Sequence, residues 1–304
     1  VADAVMGARE RSRAMTAARL QALPLQDAPP PWSRRLRGFG AVLPALVFLV
    51  LLFVVPVLAL LLRSITEPAL GLGNYATFFA GTTYLKVLGN TFLVASLVTG
   101  ATLVIGFPTA WFLAIAPRRL AGLLTGIVVL SMWTNLLART YAWMVLLQGT
   151  GLINRALLEL GLIAAPLTLT NNLVGVTLGM TYIMLPFMVL PLASAMRAID
   201  PSVLQAASLC GASRWQCLTR ILLPMLSGAI ASGALMIFVM SLGYFVTPAL
   251  LGGTANMMLP ELIAQLVQSL LDWGLASTAA TILLVLTLLL YALQVRFFGT
   301  RSTA

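Results

Sequence analysis

The chain has 304 residues, 60% of them hydrophobic and 9% charged, with two cysteines, no histidine and a net charge of +10 at pH 7. The absence of histidine excludes Ser–His and Cys–His catalytic pairs, Cys210 and Cys217 alone make no zinc site, and no Walker-type glycine loop accompanies Lys86, the only lysine. No hydrophobic stretch houses paired carboxylates, so this is not the composition of an enzyme, and the positive charge clusters at the ends of apolar runs, as in a membrane protein rather than a nucleic-acid binder.

Residues 1–37 carry seven arginines (Arg9, Arg11, Arg13, Arg19, Arg34, Arg35 and Arg37) and the stretch Ala28-Pro29-Pro30-Pro31. They read as a mostly disordered tail with a surface-lying turn of helix near 8–22. The tail is not read as a cleavable signal, because the apolar run that follows is too long and lacks a small-residue cleavage site. Six runs then match the length of about 20 residues that a helix needs to cross a bilayer: 38–62, 87–116, 121–147, 172–196, 225–247 and 275–297. The second contains Gly106-Phe107-Pro108 and is expected to kink or tilt. The fourth contains Pro186 and Pro191, which a bundle tolerates when neighbours satisfy the freed carbonyls.

Arginine counting orients these spans. With the N-terminus inside, the inner segments hold the seven tail arginines plus Arg118, Arg119, Arg197, Arg214, Arg220, Arg296 and Arg301. The outer segments hold Arg63, Lys86 and Arg155, and Arg139 lies within a span. Fourteen against three places both termini and the loop 197–224 in the cytoplasm. Three outer segments remain. Residues 64–86 mix aromatics with glycines, 148–171 contain a short amphipathic helix at 153–161, and 248–274 begin with a glycine break and hold a re-entrant or interfacial helix at 260–271.

The loop 197–224 is the one long polar interruption in the second half of the chain. It reads as two short helices. Asp200 caps the first and Pro201 takes its first position. Gly211 ends it in a left-handed conformation. Ser213 and Gln216 form a capping box for the second, and Trp215, Leu218, Ile221 and Leu222 fall on one face of it. Pro224 marks the return to an apolar run. Gln205-Ala206-Ala207 stands three residues before Gly211, and nine residues after Gly211 comes Ile221-Leu222-Leu223-Pro224. In this spacing the loop resembles the "EAA" signature of the membrane permeases of ABC importers, with Gln205 in place of the acidic residue. The resemblance implies a coupling helix pair that sits in a groove of a soluble ATPase, with Gln205, Ala206, Ala207, Gly211, Ala212, Trp215, Ile221 and Pro224 at or near the docking surface. A glutamine at 205 retains hydrogen bonding but loses any salt bridge from that position.

Further stretches are similar to one branch of that family, the permeases of polyamine-type importers. They are Leu72-Gly73-Asn74-Tyr75, Asn90-Thr91, Arg139-Thr140-Tyr141-Ala142-Trp143, Gly151-Leu152-Ile153-Asn154, Leu185-Pro186-Phe187-Met188, and the run from Phe245 to Gly253 that includes Leu250-Leu251-Gly252-Gly253. The matches extend from about residue 40 to 297. The branch implies an all-α integral membrane protein of the type I importer permease fold, with a transmembrane domain at 38–299. It also implies a second homologous permease (a heterodimer), two ATPase subunits that bind the ATP and magnesium, and a periplasmic or extracellular binding protein. The setting is the inner membrane of a bacterium. This chain itself is expected to bind no cofactor, metal or nucleic acid and to contact lipid.

The branch also serves amino-acid-like amines, aminophosphonates, thiamine and iron complexes. A polycation needs carboxylates or aromatic faces along its path. The outer carboxylates are Glu67, Glu159, Glu261 and Asp272, and the aromatic candidates are Trp133, Tyr141, Trp143, Tyr182 and Tyr244, each of which also suits an interfacial belt or packing role. Asp272 beside Trp273 pairs a charge with a π face, although Asp272 also suits the N-cap of the last span. Arg139 either snorkels to the outer interface or faces the cavity, where it would favour a substrate bearing a carboxylate or phosphonate. Two readings of other classes remain. A gradient-driven secondary transporter would place ionisable groups near mid-membrane, where this chain offers Arg139 alone, and the coupling-type loop speaks against a scaffold that transports nothing.

Overall fold

The computed structural model describes residues 43–298, all of them helical or in connecting turns. The expectations for the N-terminal tail lie outside the described residues. The chain divides into two units, at Leu58 and Ala59. The first described helix, α1, is Leu43–Thr66, and its residues reach solvent or lipid on all sides up to Leu58 except where half-buried. Among the described residues eleven α-helices follow α1: α2 Gly73–Ala80, α3 Thr82–Ile115, α4 Arg118–Trp133, α5 Leu136–Leu147, α6 Leu152–Glu159, α7 Leu173–Arg197, α8 Pro201–Leu209, α9 Arg214–Leu242, α10 Val246–Leu251, α11 Leu259–Gln265 and α12 Trp273–Phe298.

Among the described residues five helices are long and apolar enough to cross a membrane: α1, α3, α7, α9 and α12. The expected span at 121–147 is not one helix. It breaks between Trp133 and Leu136, and the segments on either side meet at 100°. The break has a local cause. Asn135 adopts an extended ψ and caps α5 by accepting hydrogen bonds from Leu137 N–H at 2.8 Å and Ala138 N–H at 3.4 Å. A strong N-cap inside an apolar run starts a new helix, which outweighs the continuity of hydropathy. The fifth span also ends earlier than its hydropathy suggests, at Leu242, and a separate short helix, α10, follows.

Two wide helical turns precede prolines: Val50–Val54 before Pro56, and Cys217–Leu222 before Pro224. A proline inside a helix removes one hydrogen bond and its ring presses on the carbonyl four residues back. A π-turn at that place relieves both. Pro224 therefore lies inside a continuous helix, rather than marking a gap between the loop and the next span.

The core is built on α7, which is apolar on all sides and buried accordingly. Val176, Met180, Met184, Met188 and Leu192 are closed off from the surface, against α3 and α9. At Met188 three helices meet. A Cβ on Gly106 of α3 would lie 3.0 Å from Met188 Cγ, and one on Gly233 of α9 would lie 3.0 Å from Met188 Sδ. Glycine at both crossings lets the backbones approach, the usual device where lipid supplies no hydrophobic drive between helices. A second apolar cluster joins α2, α3, α11 and α12 through Phe78, Val87, Leu259, Leu262, Leu266, Leu275, Ala276 and Ala279.

The connecting segments 148–171 and 252–258 are fixed by asparagine and threonine side chains. Asn154, fully buried in α6, donates to the carbonyls of Gln148 and Leu167 at 3.0 Å and accepts from Leu167 N–H at 2.8 Å. Asn90 donates to Ala255 O at 3.1 Å, and the Thr91 hydroxyl accepts from Leu259 N–H at 2.8 Å. These bonds satisfy backbone groups of a non-helical stretch that membrane depth would otherwise penalise. Gly252 and Gly253 turn that stretch against α7: a Cβ on Gly252 would sit 2.9 Å from Val176 Cγ2 of α7, and Gly253 holds φ +64.

Candidate functional site

The polar loop after α7 folds as its residues dictate. Asp200 accepts a hydrogen bond from Ser202 N–H at 2.8 Å and so caps α8, with Pro201 in the first helical position. That bond holds the Asp200 carboxyl below its ordinary value. The capping contribution is therefore complete above about pH 4 and fades as pH falls through the lower folded value. Gly211 has φ +83, and Ala212 N–H bonds back to Ala207 O at 3.1 Å, which closes α8 with a left-handed cap. Ser213 and Gln216 form the reciprocal capping box, with Ser213 N–H donating to Gln216 Oε1 at 2.8 Å.

The loop presents small and apolar groups to the outside. Gln205, Ala206, Gly211 and Pro224 are exposed, and Ala207, Ala212 and Ile221 are half-buried. Leu209 is 88% exposed and Trp215 71% exposed, on either side of the Gly211 turn. Trp215 does not share the packing of Leu218 and Leu222, as helical spacing predicts. The wide turn Cys217–Leu222 shifts the register, so Leu222 enters the core while Trp215 stays out. Cys210 and Cys217 are both free thiols.

This surface is tied mechanically to two spans. Arg197, the last residue of α7, donates from Nη2 to Leu113 O in the last turn of α3 at 2.8 Å. A guanidinium there also opposes the negative end of the helix dipole. Beside it lies a cavity of about 330 Å³ lined by Trp111, Met196, Arg197, Pro201, Leu204 and Leu222. Arg197 was legible in the sequence as a charge at a span end, but its partner carbonyl, 84 positions away, was not.

Four of the substrate-path candidates fall into two pairs elsewhere. Trp143 of α5 and Tyr182 of α7 bring their rings to 5.7 Å between centroids. Arg139 lies close enough to Tyr244 to act on its hydroxyl electrostatically. Arg139 Nε is buried with no hydrogen-bond partner among the described residues. Because α5 begins at Leu136, Arg139 stands in the first turn of a new helix and not near the outer end of a straight span. The hydroxyls of Thr140 and Thr247, both buried, meet at 3.2 Å and join α5 to α10. Sequence spacing gave no sign of that pair. Tyr141, 61% exposed, and Trp133 lie outside both pairs.

Asp272 and Trp273 lie apart from these pairs, in a cavity of about 660 Å³ with Glu67, Asn74, Thr77 and Tyr84. Asp272 Oδ1 accepts from Leu275 N–H at 2.9 Å, which caps α12. The guanidinium of Arg63 sits over the Trp273 ring, 5.2 Å from its centroid, and pairs with Glu67 at 3.6 Å. Both groups thus already have partners within the chain. No cluster of three or more metal-ligating side chains occurs among the described residues.

Residues 103–301 match the family model described as "Binding-protein-dependent transport system inner membrane component". The chain is 34% identical over 228 residues to the spermidine/putrescine transport system permease protein PotB of Salmonella typhimurium (strain SL1344), covering 75% of this chain and 79% of that one. It is 35% identical over 228 residues to the protein of the same name from Escherichia coli (strain K12), covering 75% and 82%. Among solved structures, a chain of a bacterial alginate ABC transporter in complex with alginate pentasaccharide-bound periplasmic protein superposes with a TM-score of 0.70 at 18% identity, over 90% of this chain and 98% of that one. That likeness is one of fold.

Proposed function

The chain belongs to the family of binding-protein-dependent transport system inner membrane components, a membrane-embedded permease subunit and not an enzyme, and from that premise we propose that it forms half of the import path for a small amine, a polyamine such as spermidine or putrescine. The similarity to the two PotB permeases over three quarters of the chain carries this reading. In it, a second homologous permease completes the path, and one of two ATPase subunits docks at Gln205, Ala206, Ala207, Gly211, Ala212, Trp215, Ile221 and Pro224. ATP and magnesium belong to those subunits, and a binding protein delivers substrate from outside. Both termini and the 197–224 loop then face the cytoplasm, as the arginine distribution favours.

Two connections support the coupling step in this reading. In this reading a push on α8 reaches α3 through the bond from Arg197 to Leu113 O, and the core through the continuous helix α9. The motion expected of such a link is a rigid-body switch between inward- and outward-open states. The rest of the path would run past Trp143, Tyr182 and Tyr244, whose rings suit an ammonium group. Arg139 supports a second reading within the same importer class, a substrate that bears an anionic group as well as an amine, such as an aminophosphonate.

Uptake into proteoliposomes that contain the complete importer tests both. ATP-dependent uptake of labelled spermidine, not supported by an imposed proton or sodium gradient, is the expected result. Gradient-driven uptake without ATP would make the chain a secondary transporter. Competition of spermidine uptake by an aminophosphonate would favour the second reading.

A further inference from the structure

The cavity of about 330 Å³ beside Arg197 opens where α3 and α7 end and α8 begins. Its walls are mostly apolar: Trp111, Ala114 and Ile115 come from α3, Leu204 from α8 and Leu222 from α9, while Arg197 of α7 brings a charge. The spans set its depth in a bilayer. α3 has 34 residues, α7 has 25, and both stop at this cavity. At about 1.5 Å per residue they measure about 51 Å and about 37 Å, longer than a hydrocarbon core of about 30 Å, so their shared end stands at headgroup level. Trp111 and Arg197 are residue types that favour that level, the indole for its amphipathic ring and the guanidinium for its polar head on an apolar stem.

Arg197 is short of a counter-charge. Its Nη2 donates to Leu113 O at 2.8 Å, which leaves the other N–H groups of the fork, and it makes no ion pair among the described residues. The nearest carboxylate along the chain, Asp200, is engaged with Ser202 N–H at the start of α8. Arg118 and Arg119, both exposed, follow Ile115 closely in the first turn of α4. Segments 111–119 and 196–204 thus hold Arg118, Arg119 and Arg197 against Asp200 alone. The helix ends nearly cancel, because the C-termini of α3 and α7 oppose the N-termini of α4 and α8. The excess charge is positive and adjoins an apolar hollow. Water satisfies the guanidinium but leaves the apolar wall wet, and a hydrocarbon chain covers the wall but not the charge. A phosphate that carries an acyl chain does both.

We propose that this cavity binds an anionic phospholipid, with its phosphate on the remaining N–H groups of Arg197 and part of an acyl chain against Trp111, Ala114 and Leu222. Phosphate oxygens match the planar fork of a guanidinium, and the bond to Leu113 O is kept. A zwitterionic headgroup offers the same phosphate but brings a cation towards Arg118 and Arg119, so the anionic headgroup is preferred. The lipid sits at the joint between two spans and the exposed loop. Such a site requires a membrane-embedded chain and no particular substrate, so it stands apart from the amine reading.

Tryptophan emission of the complete importer in detergent, titrated with phosphatidylglycerol brominated on its acyl chains, tests the site. Bromine quenches an indole on contact, so the quenching that disappears in Trp111→Phe reports this cavity. That component is expected to saturate with phosphatidylglycerol, and to need about fivefold more brominated phosphatidylcholine to reach its midpoint. Arg197→Gln should raise the phosphatidylglycerol midpoint by about the same factor, the usual effect of one cation near an anionic lipid. Arg197→Lys, which keeps the charge, should retain most of the preference. Ala114→Phe, which fills the hollow without changing any charge, should abolish the component. Absence of Trp111-dependent quenching, equal midpoints for the two lipids, or an unchanged midpoint in Arg197→Gln overturns the assignment. Full displacement by inorganic phosphate at constant ionic strength also overturns it, because Arg197 would then serve a soluble anion. Spermidine uptake by the wild-type importer is read separately, and its failure would overturn the amine reading while leaving the lipid site standing.

Discussion

Gly211 is the residue on which the shape of the exposed loop depends. No atom lies within 4 Å of where its Cβ would be, so a side chain there meets no clash, yet φ +83 is a conformation that β-branched residues avoid at a cost of about 1–2 kcal/mol. Gly211→Val is therefore expected to leave membrane insertion intact and to weaken copurification of the ATPase and transport. Gly211→Asn, which tolerates the left-handed region, should behave nearly as wild type. Normal copurification and transport by the valine variant would remove this turn from the coupling surface. Asp272 poses a similar question of role. Its bond to Leu275 N–H is one that asparagine also makes, so Asp272→Asn should transport almost normally, while Asp272→Ala should cost about 1 kcal/mol of stability. A several-fold loss of uptake in the asparagine variant at unchanged expression would show that the charge itself is needed, and would return Asp272 to the substrate path.

Helix contacts depend on where glycine stands, and the two kinds of glycine predict opposite results. A Cβ on Gly175 of α7 would lie 2.4 Å from the Leu169 carbonyl oxygen, a backbone atom that cannot move aside. Gly175→Ala should cost about 1–3 kcal/mol and lower the melting temperature of the purified protein. Gly100 in α3 has nothing within 4 Å of its Cβ position. Gly100→Ala should hold or raise the melting temperature, because alanine is favoured over glycine by about 0.5–1 kcal/mol in a helix interior. Equal melting temperatures for the two variants would mean that the α7 entry is looser than the structure indicates. Met188 sits between these extremes. It is flexible, so the glycine notches at Gly106 and Gly233 can close on it without a rigid fit, which suits helices that slide during a transport cycle.

Taken as a molecule, the chain carries most of its arginines in the tail and in alternate connections between spans, and few cations in the connections between these. The orientation that follows is open to a direct check. Leu120→Cys and Ser213→Cys, in a background free of native cysteines, should react only with reagents that enter the cytoplasm, and Leu157→Cys with impermeant reagents outside. Outer labelling at position 213 would invert the topology and remove the coupling role with it. The separation of the two apolar clusters fits the same division of labour. One cluster packs α7 between its neighbours, and the other packs the short helices α2 and α11 on α12.

Hydropathy, proline positions and capping residues are local signals, and they were enough to read most spans and the form of the 197–224 loop. Asp200, Gly211, Ser213 and Gln216 act on backbone groups within a few positions, so their roles need no knowledge of the rest of the fold. The break at Asn135 was also a local event, but an apolar run on both sides masked it. Distant pairings could not be read in this way. The bond from Arg197 to Leu113, the meeting of Thr140 with Thr247, and the company of Arg139 with Tyr244 join residues some 84 to 107 positions apart. A single sequence states which groups are polar but not which of them share a cavity. That depends on how α5, α7 and α10 cross, and the crossing is set by glycine notches and side-chain volumes acting together. For the same reason Asp272, attractive next to Trp273 in the chain, turned out to have a backbone partner, while Glu261 was left with an oxygen that none of the described residues satisfies.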